Sequence, residues 1–168
     1  MNAEELWPPA NVKISRQKLV ELMDLLEEMV GDIDPDVLQC VSRLTIIRSS
    51  GHIEFSTREC IFTYVGNTSS HEMQYFVRNT LRSGPNPKAD ALEKLLGKFQ
   101  SDLDKEFRNF LKINDYKLKL NALVDMRNRI SHGENEGVDR RAALQYATMA
   151  IEIGDEILLI FSVQTVGG

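Results

Sequence analysis

Arg127-Asn128-Arg129-Ile130-Ser131-His132 sets an arginine and a histidine five positions apart, with an asparagine directly after the arginine. Imidazole, whose unperturbed pKa is about 6.5, gives or takes a proton near neutrality, and a guanidinium stabilises negative charge developing on a phosphate. Those two groups are enough for metal-free cleavage of RNA, in which the 2′-hydroxyl attacks the adjacent phosphorus and leaves a cyclic phosphate. The same pair at a helix end can instead satisfy terminal carbonyls and the macrodipole. Spacing alone leaves both readings open.

The element that must position these residues is an amphipathic helix expected from Asn114 to Ile130, with Leu120, Leu123, Val124 and Ile130 at helical spacing. On the helical wheel Arg127 falls between Leu123 and Val124, inside that apolar stripe. A guanidinium there needs a partner, because burying one alone costs several kcal/mol. Either a carboxylate meets it inside the fold or it lines a cleft where it meets a phosphate. Asn128 and His132, four apart, share one face. Gly133 supplies a C′ stop, which puts His132 at a frayed last turn where its ring can swing toward Arg127 across about 140° of helix. Arg78-Asn79 and Arg108-Asn109 have no histidine at the matching distance.

A helix ending in Arg-Asn-x-x-x-His, followed by glycine and another long helix, resembles the signature of the HEPN superfamily. The stretch Arg48-Ser49-Ser50-Gly51-His52-Ile53-Glu54 is similar to the polar segment on an early helix in its RiboL-PSP-like branch. The resemblance implies a helical bundle that dimerises and brings two Arg/His pairs together. It also implies metal-independent endoribonuclease activity, commonly in toxin, abortive-infection or defence systems, with Arg127, Asn128 and His132 at the motif positions. Many members of that superfamily have lost activity and serve as binding modules.

Composition is consistent with one soluble domain: 168 residues, 42% hydrophobic and 27% charged, long enough to bury about 70% of the unfolded surface. No stretch of 18 apolar residues and no basic-then-apolar start occurs, so neither a membrane span nor a secretory signal is expected and the setting reads as cytoplasmic. Cys40 and Cys60 lack CxxC spacing and read as reduced core thiols; with three scattered histidines, no metal or other cofactor is expected. A net charge of −5 argues against gripping nucleic acid by bulk electrostatics. The charge is uneven, however: residues 105–141 carry 9 Lys/Arg against 6 Asp/Glu, while the segments on either side are net negative. A local phosphate cleft fits that distribution better than an extended basic surface.

Along the chain, residues 1–12 read as an irregular arm packing through Trp7. Ser15 is expected to cap a helix to about Val30, with Leu19, Leu22, Leu25, Leu26 and Met29 on one side. Asp34-Pro35 opens a second long helix with the stripe Val37, Val41, Leu44, which Arg48 continues at an apparently internal position; Gly51 is expected to weaken or bend it. A third helix should follow Thr68-Ser69-Ser70, carrying Met73, Phe76, Val77 and Leu81, with a loop at Ser83-Gly84-Pro85-Asn86-Pro87. After the motif helix and the turn Glu134-Asn135-Glu136-Gly137, a last helix from about Asp139 to Val163 is too apolar over Ile151–Phe161 to be anything but central or an interface.

The reading is an all-α, single-domain HEPN-like bundle over residues 1–168. His132 is assigned as general acid or base, Arg127 as phosphate ligand and Asn128 as the group orienting one of them. Arg48, Glu54 and Arg129 are weaker candidates for substrate contact. Expected partners are an RNA substrate, a second copy of the chain, and an antitoxin or other defence-system protein, with no membrane. The rival from another class is a non-catalytic HEPN-type binding or dimerisation module, partnering a nucleotidyltransferase or other toxin–antitoxin component. An inward acidic partner for Arg127 would favour a purely structural role, and a solvent-accessible cleft the nuclease.

Overall fold

Asp34 accepts a hydrogen bond from the Asp36 N–H at 2.8 Å, and Pro35 sits in the first turn with its φ already helical. From this start one helix runs unbroken to Thr68, about 50 Å of axis around which the others assemble. The chain is described by a computed structural model over residues 7–99, 102–113, 115–134 and 137–166, with side chains to Ser162. Seven helices lie among them: α1 Ala10–Glu28, α2 Pro35–Thr68, α3 His71–Thr80, α4 Ala89–Leu96, α5 Leu103–Ile113, α6 Tyr116–Ser131 and α7 Arg140–Val166. The described residues contain no strand, and the fold is all-α.

α7 lies along α2 in the most extensive helix–helix interface, and α1 and α6 also pack against α2. The close approach comes from small residues. α2 buries Ser42, Thr45, Ser49, Ser50, Ser56 and Thr57, and α7 buries Ala143, Ala147, Ala150 and Gly154, the last against His52 and Ser56. Thr45, Ser49 and Thr57 return their hydroxyls to the carbonyls of Val41, Thr45 and Ile53, respectively, at 2.7–2.9 Å, so most of this polar face is satisfied within its own helix. α6 is fixed by Leu120, Leu123 and Val124, all buried. Each contributes about 1.5–3 kcal/mol. Ile130 is partly buried against the same core.

Several expectations need correction. α1 begins at Ala10, so Ser15 is not its cap and the arm is shorter than residues 1–12; residues 1–6 of that arm lie outside the described residues. Leu25, Met73 and Phe76 are exposed. Val37 and Leu44 are also exposed, Val41 is half-buried, and Arg48 points to solvent, because α2 turns its Ser/Thr face to the core in place of that apolar stripe. Cys40 is exposed and only Cys60 is buried, where desolvation drives its thiol pKa well up. Gly51 does not interrupt α2, and the helix also passes through Gly66. Asn114, the expected start of the motif helix, and Asn135-Glu136 of the following turn lie outside the described residues.

Candidate functional site

Arg127 leaves α6 toward α2. Its Nη2 donates to Glu54 Oε2 at 2.9 Å and its Nη1 to Asn128 Oδ1 at 3.1 Å. Two stretches separated by more than seventy residues are thus joined at one ion pair. The Arg127 and Glu54 side chains are 31% and 21% exposed, which makes this a partly solvated pair rather than a buried bridge. The sequence posed a carboxylate partner and an open cleft as alternatives, and Arg127 has the carboxylate partner, at a partly solvent-exposed position. At this exposure the pair adds little to stability. Its clearer consequence is to fix the direction of a guanidinium that would otherwise sample many rotamers.

The loop between α3 and α4 lies against the Glu54 side of this pair. Gly84 has φ +82, and a Cβ placed on it would overlap the Glu54 carboxylate, so both backbone conformation and space demand glycine. The loop is tied to α6 by Lys88 Nζ to Asp125 Oδ1 at 2.8 Å and by the Ala89 N–H to Asn121 Oδ1 at 3.0 Å. Asn121, Asp125, Asn128 and His132 follow one another along a single face of α6. Sequence inspection marked Ser83-Gly84-Pro85 only as a loop. A glycine followed by proline hinted at special backbone geometry, but not at its contact with Glu54.

His132 is the C-cap of α6, and the helix end is closed rather than frayed. The Gly133 N–H reaches Ile130 O and the Glu134 N–H reaches Arg129 O, both at 3.0 Å, with Gly133 at φ +81. This is a Schellman motif, which fixes the backbone that carries the imidazole. The His132 side chain is exposed and has no hydrogen bond or ion pair among the described residues. Asn128, one turn earlier on the same face and bonded to Arg127, lies between the two candidate chemical groups. Arg129 projects about 200° around the helix from Arg127, so it does not join this cluster. Arg48 lies on the exposed arc of α2 that Glu54 also borders, but toward α1.

A second histidine is placed quite differently. His52 is 2% exposed on α2, its Nδ1 is 3.0 Å from Ser15 Oγ and 3.4 Å from Ser56 Oγ, and its Nε2 has no partner and faces Gly154 of α7. Desolvation lowers its pKa to about 4, with Asp155 opposing the shift and Arg16 adding to it. It is a neutral packing element at neutral pH. Among the described residues no group of three His, Cys, Asp or Glu side chains could hold a metal ion, and no helix is long and apolar enough to cross a membrane.

The sequence profile of the RiboL-PSP-HEPN family matches residues 11–162, so the chain belongs to that family. No curated protein and no solved structure matches it.

Proposed function

We propose that this protein is a metal-independent endoribonuclease. The observation that carries the reading is the joint placement of Arg127, Asn128 and His132 on one closed helix end, with the guanidinium held in a partly exposed pair with Glu54. An imidazole takes the 2′-hydroxyl proton, O2′ attacks the adjacent phosphorus, the P–O5′ bond breaks, and an imidazolium returns a proton to the departing 5′-oxygen. The upstream fragment ends in a 2′,3′-cyclic phosphate and the downstream one in a 5′-hydroxyl. Of the five N–H groups of Arg127, one serves Glu54 and one Asn128. The remaining donors can meet phosphate oxygens, so the Glu54 pair orients the guanidinium without saturating it.

Each chain offers one motif histidine. A homodimer would bring a second His132 close enough for base and acid to come from different subunits. A toxin or anti-phage effector acting in the cytoplasm under a partner's control is the setting that family membership suggests. A second reading, a non-catalytic HEPN-type binding module, is favoured by one observation: Glu54 already neutralises Arg127. Parallel cleavage of mixed RNAs in excess EDTA by the wild type and His132→Ala separates the two, because only the nuclease reading predicts products and their loss in the variant.

A further inference from the structure

Between α1 and the exposed arc of α2 lies a groove of about 430 Å³, a volume in the range of small-ligand sites. Its floor is Ile47, Gly51 and Phe55, and its rim carries Asn11, Lys18 and Arg48. No carboxylate lines the groove, although the chain as a whole is at −5. Among the described residues neither Lys18 nor Arg48 has an ion-pair or hydrogen-bond partner, whereas Arg16, Lys88, Arg108, Lys117 and Arg127 are all paired with carboxylates. Phe55 is half-buried, with the guanidinium of Arg58 5.1 Å from its ring centroid. Gly51, one turn earlier, has nothing within 4 Å of where a Cβ would stand, so the floor beside the ring is open. The inner wall is already satisfied, because Ser15 is hydrogen-bonded to His52.

Two unpaired cations over an aromatic and aliphatic floor match a phosphate attached to a flat apolar ring. A base in a duplex keeps its faces stacked on its neighbours and cannot enter such a groove; an unpaired base can lie against Phe55 while its phosphate meets Lys18 or Arg48. Phe55 directly follows Glu54 in α2, about 100° around the helix from it, so the groove lies on the helix face adjoining the Arg127–Glu54 pair. We propose that the α1–α2 groove is a subsite for one unpaired nucleotide of the RNA strand that is cut at Arg127 and His132. The proposal rests on the endoribonuclease reading and narrows its substrate to single-stranded RNA. Electrostatic complementarity of an acid-free groove in an acidic chain selects this occupant over a second copy of the chain, which would bring net negative charge without a matching array.

The test is fluorescence anisotropy with a labelled, uncleavable 2′-O-methyl oligonucleotide, single-stranded or annealed to its complement, titrated with the full chain. Wild type should prefer the single strand, and Phe55→Ala and the double variant Lys18→Ala/Arg48→Ala should each weaken its binding by about tenfold. The double variant should also flatten the salt dependence, since each lost phosphate contact removes a slope of about 0.7 in log affinity against log salt. Gly51→Leu provides a variant that fills the groove while improving helix propensity, so it should lose binding with an undiminished melting temperature. His132→Ala should bind like wild type and cut nothing. Loss of binding in the groove variants upholds the groove, and if wild type also cleaves no RNA, the nuclease reading alone is defeated. Wild-type cleavage with groove variants that bind and cut normally does the reverse. Equal affinity for duplex, or groove variants that dissociate a dimer while leaving RNA affinity intact, overturns the proposal.

Discussion

The two faces of α2 are built on opposite principles. Toward α7 it presents small hydroxyl residues and His52 in close contact, with no free space at Gly154. Toward solvent it presents Glu54, paired with Arg127 of α6, and Arg48 and Phe55, which line an open groove with Lys18 of α1. A close-packed face transmits any added atom into strain. An open charged face does not. Substitutions on the first should therefore move stability and leave chemistry alone, and substitutions on the second should do the converse.

The largest effect belongs to the open face. Arg127→Ala should lower cleavage by about 10²–10³-fold, and Arg127→Lys should recover little, because an ammonium lacks the planar fork that meets two phosphate oxygens. Both variants should melt within a few degrees of wild type, since the Glu54 pair is partly solvated. Coordinate loss of stability and activity would instead make Arg127 a structural residue.

On the closed face, the depressed His52 pKa has a definite sign. A histidine that titrates at about 4 when folded and near 6.5 when unfolded stabilises the fold above pH 6.5, and that contribution disappears as the pH falls toward 4. Between pH 7 and pH 5 wild type should lose about 2 kcal/mol that His52→Gln does not lose, as read by urea unfolding at the two pH values. Equal losses would mean that the imidazole is already solvated. Gly154→Ala drives a Cβ to 2.8 Å from His52 Nε2 and should destabilise by about 1–3 kcal/mol in the same assay, with specific activity of the folded fraction unchanged.

The smallest effect sits where the helix end meets the site. Gly133→Ala meets no neighbouring atom but forces an alanine to φ +81, at a cost of about 1–2 kcal/mol. Because the same Schellman turn carries His132, this variant should lose activity beyond what its small change in melting temperature explains. Unchanged activity would show that imidazole placement does not depend on the closed end.

The motif helix was readable because its signals agree: Leu120, Leu123 and Val124 mark the core face, and Gly133 marks the stop. The direction of α2 was not, because its buried face is made of serines and threonines that satisfy their own helix while its apolar stripe at Val37 and Leu44 faces out. Hydrophobic periodicity is blind to a helix packed through small residues. Glu54 was legible as a candidate but not as the partner of Arg127, since their meeting depends on helix packing across more than seventy residues. Lys18 and Phe55 carried no sequence signal at all; only the position of α1 against α2 makes them neighbours.

The central claim is that His132 and Arg127 cut RNA without a metal. Its most direct measurement is cleavage of mixed single-stranded RNAs in excess EDTA by wild type and His132→Ala in parallel, with analysis of the new ends. The account predicts 2′,3′-cyclic phosphate termini from wild type and at least about a hundredfold slower cleavage by a normally folded His132→Ala. Equal cleavage by the two proteins, or wild-type activity abolished by EDTA and restored by magnesium, would contradict it.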